Sequence, residues 1–284
     1  MSPPTSTARR EPLAAVDPIW EALKTEARAA VAQDPAIGGF LHSAILAHRT
    51  LEEAVCYRVA RRLDHPDVSA GLIENTFQDV LAAAGDIGLA FRADLAAVYD
   101  RDPACTRYMD ALIYFKGFHA LVAHRFAHWL LTNGRRDFAL YLQSQASKTF
   151  SVDINPAARV GRGIMLDHGH GIVVGETAVI GDNVSMLHGV TLGGTGKAGG
   201  DRHPKVGNNV LIGAGASVLG NIKIGDCSRI GAGSVVVKEV PPKVTVAGVP
   251  AKVIGPAGCP EPARSMDQLF IVNGGEFSEA GGGI

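Results

Sequence analysis

Two different periods of apolar residues divide the chain near residue 150. In the first half, apolar positions recur every three or four residues, which is typical of amphipathic helices. Asp17 followed by Pro18 indicates a helix N-terminus, and this helix is predicted to end near Asp34 and Pro35. Similar patterns predict helices in residues 37–63, 70–84, 87–99, 109–132 and 136–149. Residues 1–150 are therefore predicted to form an N-terminal all-α domain.

The second half repeats every six residues. An aliphatic residue or alanine occupies every sixth position from Ile154 to Val190 and again from Val206 to Val236, which gives thirteen apolar residues in thirteen positions. A period of six fits a parallel β-helix, in which each hexapeptide forms one flat face and its aliphatic residue points into the prism. With three faces per turn, a coil would contain about 18 residues. We therefore predict a β-helix over residues 151–255.

The two six-residue runs are out of phase. Sixteen residues separate Val190 from Val206, where six would continue the period, so about ten residues are predicted to leave the prism as a loop. We place this loop at residues 194–204, where several glycines surround Arg202 and His203. Loops on rigid scaffolds commonly hold ligand contacts, although a solvated insertion without a function has the same composition.

Composition narrows the class of protein. Of the 34 glycines, 7 lie in residues 1–150 and 27 follow, so the two halves make different demands on the backbone. The 27 basic and 28 acidic residues give a formal net charge of −1, which offers no broad surface for nucleic acid or an anionic membrane. No apolar run is long enough to span a membrane, and the N-terminal residues lack the apolar core of a signal peptide. We therefore expect a cytoplasmic protein, with a flexible tail over residues 256–284.

Several segments together resemble the bacterial serine acetyltransferases. They are the hexapeptide run, KGFHALVAHRFAHWL in the helical half, SVDINPAARVGRGIMLDHGHGIVVGETAVIG, the loop TLGGTGKAGGDRHPK, and the later IGAGASVLGNIKIG and AGVPAKVIG. The resemblance implies a left-handed parallel β-helix behind an N-terminal helical domain, assembled as a dimer of trimers. It also implies transfer of an acetyl group from acetyl-CoA to the hydroxyl of L-serine. The products would be O-acetyl-L-serine and CoA, in the first step of cysteine biosynthesis from serine.

Acetyl transfer to a hydroxyl requires a base that removes the hydroxyl proton as the oxygen attacks the thioester carbon. His168 is a suitable base, because its place as the third residue of a hexapeptide directs it outward while Leu166 fills the prism. Asp153 precedes it by fifteen residues, three short of a coil, so its carboxylate could reach His168 directly or at a subunit interface. In the resembled family, the positions of His168 and Asp153 form the catalytic dyad, in which the carboxylate orients the imidazole.

The resemblance implies that four residues hold the amino-acid substrate, namely Asp102, Asp167, Arg202 and His203. Their charges fit this role, because carboxylates suit the ammonium group of the substrate and Arg202 presents a fork of donors to its carboxylate. Without the resemblance, Asp102 would be predicted only to cap a turn.

The resemblance places acetyl-CoA in a groove between neighbouring β-helices, where small residues leave the backbone open to the pantetheine arm. The residues predicted to line this groove are Gly194, Thr195, Ala214 and Ala232. Arg229, Lys238 and Lys252 are candidates for the phosphates, and a solvated surface explains their charges equally well.

The C-terminal residues Gly281-Gly282-Gly283-Ile284 resemble the tail with which this family binds cysteine synthase, the next enzyme of the pathway. A glycine leash that ends in one apolar residue and a free carboxylate mimics a small amino acid. Ile284 is therefore the predicted partner-binding residue, and a disordered end is the alternative. The family also implies feedback inhibition by L-cysteine.

Three other readings remain open from the residues alone. The acceptor could be L-homoserine or a sugar, because spacing does not distinguish one small hydroxyl compound from another. A trimeric β-helix zinc enzyme of the carbonic-anhydrase type would use His168, His188 and another histidine across an interface. The β-helix could also serve mainly as a docking scaffold. We expect no metal, because the four cysteines are widely spaced and the histidines at 119, 124 and 128 fit helix packing.

Overall fold

The computed structural model of the chain describes residues 17–196, 199–272 and 275–277. Its helical part ends at Phe150, and a parallel β-helix begins at Val152. The helices before the β-helix are α1 (Pro18–Gln33), α2 (Gly38–Leu41), α3 (Leu51–Arg62), α4 (Ala70–Ala83), α5 (Ile87–Arg101), α6 (Tyr108–Ile113), α7 (Lys116–Thr132) and α8 (Arg136–Phe150). A 3-10 turn (Pro35–Ile37) precedes α2, and a π-helical turn (His42–Leu46) follows it.

The predicted helical segments are confirmed, and most of their predicted ends lie within two residues of the observed helix ends. The Asp17 carboxylate accepts hydrogen bonds from the first amides of α1, as expected of an N-cap. Segment 37–63 is not one helix, because the Thr50 hydroxyl caps α3 as a separate helix. Segment 109–132 is also divided, at Phe115 between α6 and α7. An apolar stripe alone does not reveal either interruption, because it continues through both breaks.

Three parallel sheets form the faces of the β-helix, as the six-residue period predicts. The strands are β1 (Val152–Ile154), β2 (Arg159–Val160), β3 (Met165–Leu166), β4 (Ile172–Val174), β5 (Val179–Ile180), β6 (Ser185–Met186), β7 (Thr191–Gly193), β8 (Lys205–Val206), β9 (Leu211–Ile212), β10 (Ser217–Leu219), β11 (Lys223–Ile224), β12 (Arg229–Ile230), β13 (Val235–Val236), β14 (Val244–Gly248) and β15 (Ala251–Pro256). The sheets run in the orders β1-β4-β7-β10-β13, β2-β5-β8-β11 and β3-β6-β9-β12-β14, and β15 pairs antiparallel with β14.

The register of the first sheet corrects the predicted length of the loop. Ile154 pairs with Val174 twenty residues on, and Val174 pairs with Leu192 after eighteen. Leu192 then pairs with Val218 after twenty-six residues. Two extra residues therefore lie in the first coil and eight in the third, whereas the period of six predicts all ten in one loop. The period of six does not reveal the first insertion. Val174 is the residue that pairs with Ile154, but Ile172, two positions earlier, is also buried and continues the period.

The N-terminus of α7 packs closely on the turn that follows β3. A Cβ built at Gly117, the second residue of α7, would collide with the carbonyl oxygen of Leu166. A Cβ built at Gly169 would lie 2.7 Å from the Gly117 Cα. Because real Cβ atoms do not approach other heavy atoms this closely, the contact requires glycine at both positions. The helical part therefore fixes the turn formed by residues 167–171.

A buried ion pair joins two helices to the first coil. The Arg125 guanidinium of α7 donates to the Asp94 carboxylate of α5 at 2.7 Å and to the carbonyl of Gly161 at 2.7 Å. The Ile164 amide also donates to Asp94 at 2.9 Å. Burial raises the pKa of the fully enclosed Asp94 carboxyl, while Arg125 and the amide oppose that rise.

The chain after β15 packs across the sheet that contains β3. A short helix, α9 (Pro262–Ser265), lies there, and the Ser185 hydroxyl donates to the Ala263 carbonyl at 2.8 Å. Arg264 pairs with Asp100 at 2.7 Å. Nothing in the apolar pattern predicts this packing of residues from the expected flexible tail. A pair of short antiparallel strands follows, β16 (Phe270–Val272) and β17 (Gly275–Phe277), while Ile284 lies outside the described residues.

In the described part of the chain, no helix is both long and apolar enough to cross a membrane.

Candidate active site

One edge of the β-helix repeats the same turn in four coils. Each turn contains a glycine with a left-handed backbone, at φ values from 64° to 71°: Gly171, Gly189, Gly215 and Gly233. The residues before them are His170, His188, Ala214 and Ala232. Hydrogen bonds of 2.7–2.8 Å join neighbouring coils at these turns. The amides of Gly189, Gly215 and Gly233 donate to the carbonyls of His170, His188 and Ala214, respectively. This edge, which we call the glycine edge, therefore presents small turns to solvent in two coils and imidazoles in the other two.

The two-residue insertion in the first coil lies on the glycine edge and carries His168. Its backbone is left-handed, at φ 55°, and Gly169 follows at φ 52°. A left-handed conformation is unfavourable for a residue with a Cβ and is held only when its surroundings impose it. Gly117 of α7 packs against the residues on either side, Leu166 and Gly169. The exposed His168 ring lies 5.8 Å from the His188 ring, with 71° between their planes.

Asp167, next to His168 in the chain, interacts electrostatically with His168, His188 and Asp102. Burial raises the pKa of Asp167, and the negative charge of Asp102 raises it further. His168 and His188 act in the opposite direction on the same carboxyl. Asp102 lies at the C-terminal end of α5, where its carboxylate also accepts a hydrogen bond from the Ala104 amide at 2.8 Å. The structure thus brings the predicted Asp102, Asp167 and His168 together.

Asp153 lies on β1. This strand pairs with β4, which follows the insertion, and Asp153 is opposite Val173 in that pairing. Its carboxylate accepts a hydrogen bond of 2.7 Å from the amide of Gln143 in α8. Among the described residues, neither a hydrogen bond nor an ion pair joins Asp153 to His168. The dyad that the family resemblance implies stays a prediction.

Arg202 and His203 lie at a different edge of the prism, between β4 and β5. The Arg202 guanidinium pairs with Glu176 at 2.7 Å. The buried His203 shares a hydrogen bond of 2.8 Å between its Nδ1 and the Thr177 hydroxyl. Burial lowers the pKa of His203, and the neighbouring positive charges of Arg202 and Lys205 add to the effect. Within one chain, the four predicted substrate residues therefore form two separate clusters.

The predicted coenzyme residues are distributed along the β-helix. Ala214 and Ala232 lie on the glycine edge, one and two coils beyond His188. Gly194 follows β7 and faces the Arg202 backbone, since a Cβ built on it would lie 3.5 Å from the Arg202 carbonyl oxygen. Thr195 is beside Gly220 at the base of the loop. Lys252 and Lys238 are exposed, in β15 and after β13.

Arg229, a candidate for the phosphates, makes several contacts within the chain. Its side chain is 7% exposed, and its guanidinium donates to the Thr245 hydroxyl at 3.1 Å and to the Asp267 carboxylate at 3.0 Å. Asp267 belongs to the segment that packs back after β15. Arg229 therefore anchors the C-terminal segment, and its contact with a phosphate of the coenzyme stays a prediction. Sequence spacing could not show this, because the apolar pattern does not predict the return of that segment.

The remaining helix histidines take part in packing. His119 and His124 are buried, and burial lowers the pKa of each to about 3. The Nε2 atom of His119 is 2.7 Å from the Leu112 carbonyl, and the Nδ1 atom of His128 is 2.7 Å from the Pro156 carbonyl. Among the described residues, no group of three or more His, Cys, Asp or Glu side chains is arranged to hold a metal ion.

Two residues at the site were not predicted in their present roles. The sequence predicts His188 only as a zinc ligand and assigns no role to Gln143. His188 follows His170 by one coil of eighteen residues, so the spacing alone would have placed it on the same edge. Gln143 carries no such signal, because the contact depends on how α8 folds back over β1.

Two family models match the chain. A model of the serine acetyltransferase N-terminal region matches residues 19–123, and a model of bacterial transferase hexapeptide repeats matches residues 203–238. Curated serine acetyltransferases from Salmonella typhimurium and Escherichia coli K12 are each 50% identical to the chain over 252 residues. These alignments cover 89% of this chain and 92% of each relative.

Solved structures give the same result. A serine acetyltransferase from Brucella abortus in complex with coenzyme A is 59% identical, with a TM-score of 0.85 over 86% of this chain and 98% of that chain. A soybean serine acetyltransferase complexed with serine is 49% identical, with a TM-score of 0.82 over 83% of this chain and 97% of that chain. A serine acetyltransferase in complex with cysteine is 45% identical, with a TM-score of 0.87 over 89% of this chain and 98% of that chain.

Proposed function

This chain belongs to the serine acetyltransferase family, and we propose that His168 is the general base of its reaction. The imidazole accepts the proton of the L-serine hydroxyl as the serine oxygen attacks the thioester carbon of acetyl-CoA. The C–S bond then breaks, and the imidazolium returns the proton to the departing sulfur, which gives O-acetyl-L-serine and CoA. The observation that carries the assignment is the cluster of Asp102, Asp167 and His168 at one edge of the β-helix.

His168 is suited to this role by its position. It projects from an insertion that the rest of the β-helix does not repeat, and α7 holds that insertion in place. No hydrogen bond to another described residue occupies its imidazole, so a ring nitrogen is available to a substrate hydroxyl. Asp153 is proposed to orient the imidazole and to stabilise the imidazolium, as a carboxylate does beside a catalytic histidine.

The substrate ammonium group is proposed to lie between Asp102 and Asp167. The two negative charges repel each other, which contributes to the raised pKa of Asp167. A cation between them removes that repulsion and gains a charge-assisted hydrogen bond from each. L-Serine supplies such a cation next to its hydroxyl group.

The substrate carboxylate is proposed to bind Arg202 and His203 of a neighbouring subunit. Within one chain these residues lie at a different edge from His168, so the two clusters meet only if β-helices pack side by side. Arg202 presents a planar fork of donors, which suits a carboxylate. The active sites are therefore proposed to lie between subunits of a trimer, and two trimers are proposed to pair as a hexamer.

Acetyl-CoA is proposed to lie along the glycine edge, with its thioester near His168 and His188. The small side chains of Ala214 and Ala232 let an extended pantetheine arm approach the backbone. Gly194 and Thr195 would contact the arm from the loop, and Lys252 would contact the phosphates. The relative from Brucella abortus was crystallised with coenzyme A, which supports this choice of cosubstrate.

Two regulatory partners complete the proposal. Ile284 is proposed to bind cysteine synthase, and L-cysteine is proposed to compete for the serine site, since a relative was crystallised with cysteine. The enzyme is proposed to act in the cytoplasm, because acetyl-CoA and L-serine are available there.

Thiol release from acetyl-CoA tests the proposed function. Purified protein is assayed with L-serine, L-homoserine or a sugar as the acceptor, with and without a chelator. The proposal predicts rapid thiol release with L-serine that the chelator does not change. Equal or faster release with either other acceptor would overturn the choice of substrate, and loss of activity with the chelator would favour a zinc enzyme.

A further inference from the structure

We infer that Gln143 is a positioning residue, which holds the Asp153 carboxylate so that its second oxygen is presented to His168. The inference rests on the proposed function, because it requires Asp153 to act on His168. The observation behind it is the 2.7 Å hydrogen bond from the Gln143 amide to Oδ1 of Asp153. Among the described residues, this is the one hydrogen bond that the Gln143 side chain makes.

The local fold brings the two residues together. α8 ends at Phe150, and Ser151 follows with a left-handed backbone, at φ 58°. This turn reverses the chain, so that β1 runs back beside the helix and Asp153 comes opposite Gln143, although ten residues separate them. Asp153 lies on the outer face of β1, and the helix covers that face.

Chemistry decides which end of the amide faces Asp153. An ionised carboxylate only accepts hydrogen bonds, so the group at 2.7 Å must be the amide NH₂. One carboxylate oxygen is thereby fixed, while the other keeps its lone pairs for a second donor. A carboxylate that is held at one oxygen has fewer rotamers available, which lowers the cost of aligning the other oxygen with an imidazole.

The absence of charge on the glutamine side chain matters as much as its length. Lysine or arginine at this position would also donate to Asp153, but either would neutralise the carboxylate. Glutamine leaves the negative charge available to stabilise the imidazolium that forms as His168 takes the proton. A neutral donor beside a catalytic carboxylate is therefore the arrangement that the proposed reaction requires.

Small apolar residues surround the other side of Gln143. A cavity of about 10 Å³ lies between α7, α8 and β1, which is close to the space that one water needs. Its walls include Ala120, Ala123 and Ala146, together with the polar side chain of His124. No hydrogen bond joins Gln143 to His124 among the described residues, and Asp153 is the acceptor that the Gln143 amide uses.

A double-mutant cycle separates positioning from simple packing. Gln143→Met keeps the length of the side chain and removes the donor, and Asp153→Asn removes the charge. We expect Gln143→Met to lower kcat roughly tenfold, as for loss of one hydrogen bond to a charged group, with KM for both substrates within about twofold of wild type. In the Asp153→Asn background, the same change is expected to alter kcat by less than about twofold, because the group it acts through has lost its charge.

Controls and outcomes keep the inference falsifiable. Gln145→Met is the matched control on α8, because the Gln145 side chain makes no hydrogen bond to a described residue, and it should leave kcat unchanged. Circular dichroism and gel filtration verify folding and assembly, and Gln143→Leu replaces Gln143→Met if the latter does not assemble. A tenfold loss that persists in the Asp153→Asn background, or wild-type kcat in Gln143→Met, would overturn the inference. Wild-type kcat in Asp153→Asn would overturn the proposed dyad as well.

Discussion

The imidazole rings of His168 and His188 lie 5.8 Å apart and nearly perpendicular, although they come from successive coils. They do not occupy equivalent positions. His188 takes the regular place before the left-handed glycine of its coil, and His170 takes that place in the coil before. His168 belongs to the two-residue insertion, which projects it from the edge. The irregularity of one coil therefore sets one histidine apart from the others.

The paired carboxylates lead to a prediction about substrate binding. Asp167→Asn is expected to raise KM for L-serine at least about tenfold, because it removes a charge-assisted hydrogen bond to the ammonium group. KM for acetyl-CoA should not change. Steady-state kinetics with each substrate varied in turn measures both values. Asp79→Asn, at an exposed site on α4, is the control, and an unchanged KM for L-serine in Asp167→Asn would contradict the assignment.

The raised pKa of Asp167 also predicts a dependence on pH. Only the ionised carboxylate attracts the ammonium group, and burial together with Asp102 extends protonation to higher pH than for an ordinary aspartate. KM for L-serine is therefore expected to rise as pH falls through this raised pKa. Because the folded protein favours the protonated form, stability is greatest below the ordinary pKa and declines as pH rises through the raised one. Asp167→Asn should accordingly raise the melting temperature at neutral pH.

The separation of His168 from Arg202 within one chain predicts complementation between subunits. His168→Ala and Arg202→Ala should each be inactive alone. If the two variants are unfolded and refolded together, random assembly gives sites with both wild-type residues in about one quarter of cases. Recovery of thiol release to that fraction of wild-type activity is the expected result. A mixture as inactive as its components would place both residues in a site within one chain.

The buried pair of Asp94 and Arg125 predicts a large effect on stability. Asp94→Asn leaves the Arg125 guanidinium buried without a counter-charge, which is expected to cost about 3 kcal/mol of unfolding free energy. Asp86→Asn breaks the exposed pair with Arg162 and should cost less than about 1 kcal/mol. Urea denaturation of the two variants measures the difference. Equal losses would show that Asp94 does not fasten the helices to the first coil.

Much of the fold follows from the period of the apolar residues. The change from helical to six-residue spacing near residue 150 locates both architectures, because each buries its apolar residues at a characteristic interval. The positions of insertions are harder to predict from the sequence. The period of six places the two extra residues around His168 in the later loop, because Ile172 and the residues that continue its period are buried two places before the stacked positions.

The sequence predicts some residues of the candidate site and not others. The sequence and the family resemblance predict Asp102, Asp167 and His168 as site residues, and the structure brings them together. The surroundings of Arg229 and Gln143 were not predictable, because both depend on chain segments that return from outside the hexapeptide pattern. Arg229 contacts the segment after β15, and Gln143 reaches β1 from α8.

The most direct test of the account is the turnover of His168→Asn with acetyl-CoA and L-serine. Asparagine keeps much of the polarity and size of the side chain but cannot act as a base. We expect kcat to fall by a factor of about 10² to 10⁴, with folding and coenzyme A binding retained. His170→Asn, the neighbouring imidazole held by Lys116 at 3.2 Å, should keep wild-type kcat. A folded His168→Asn enzyme whose kcat equals that of the wild type would contradict the central claim.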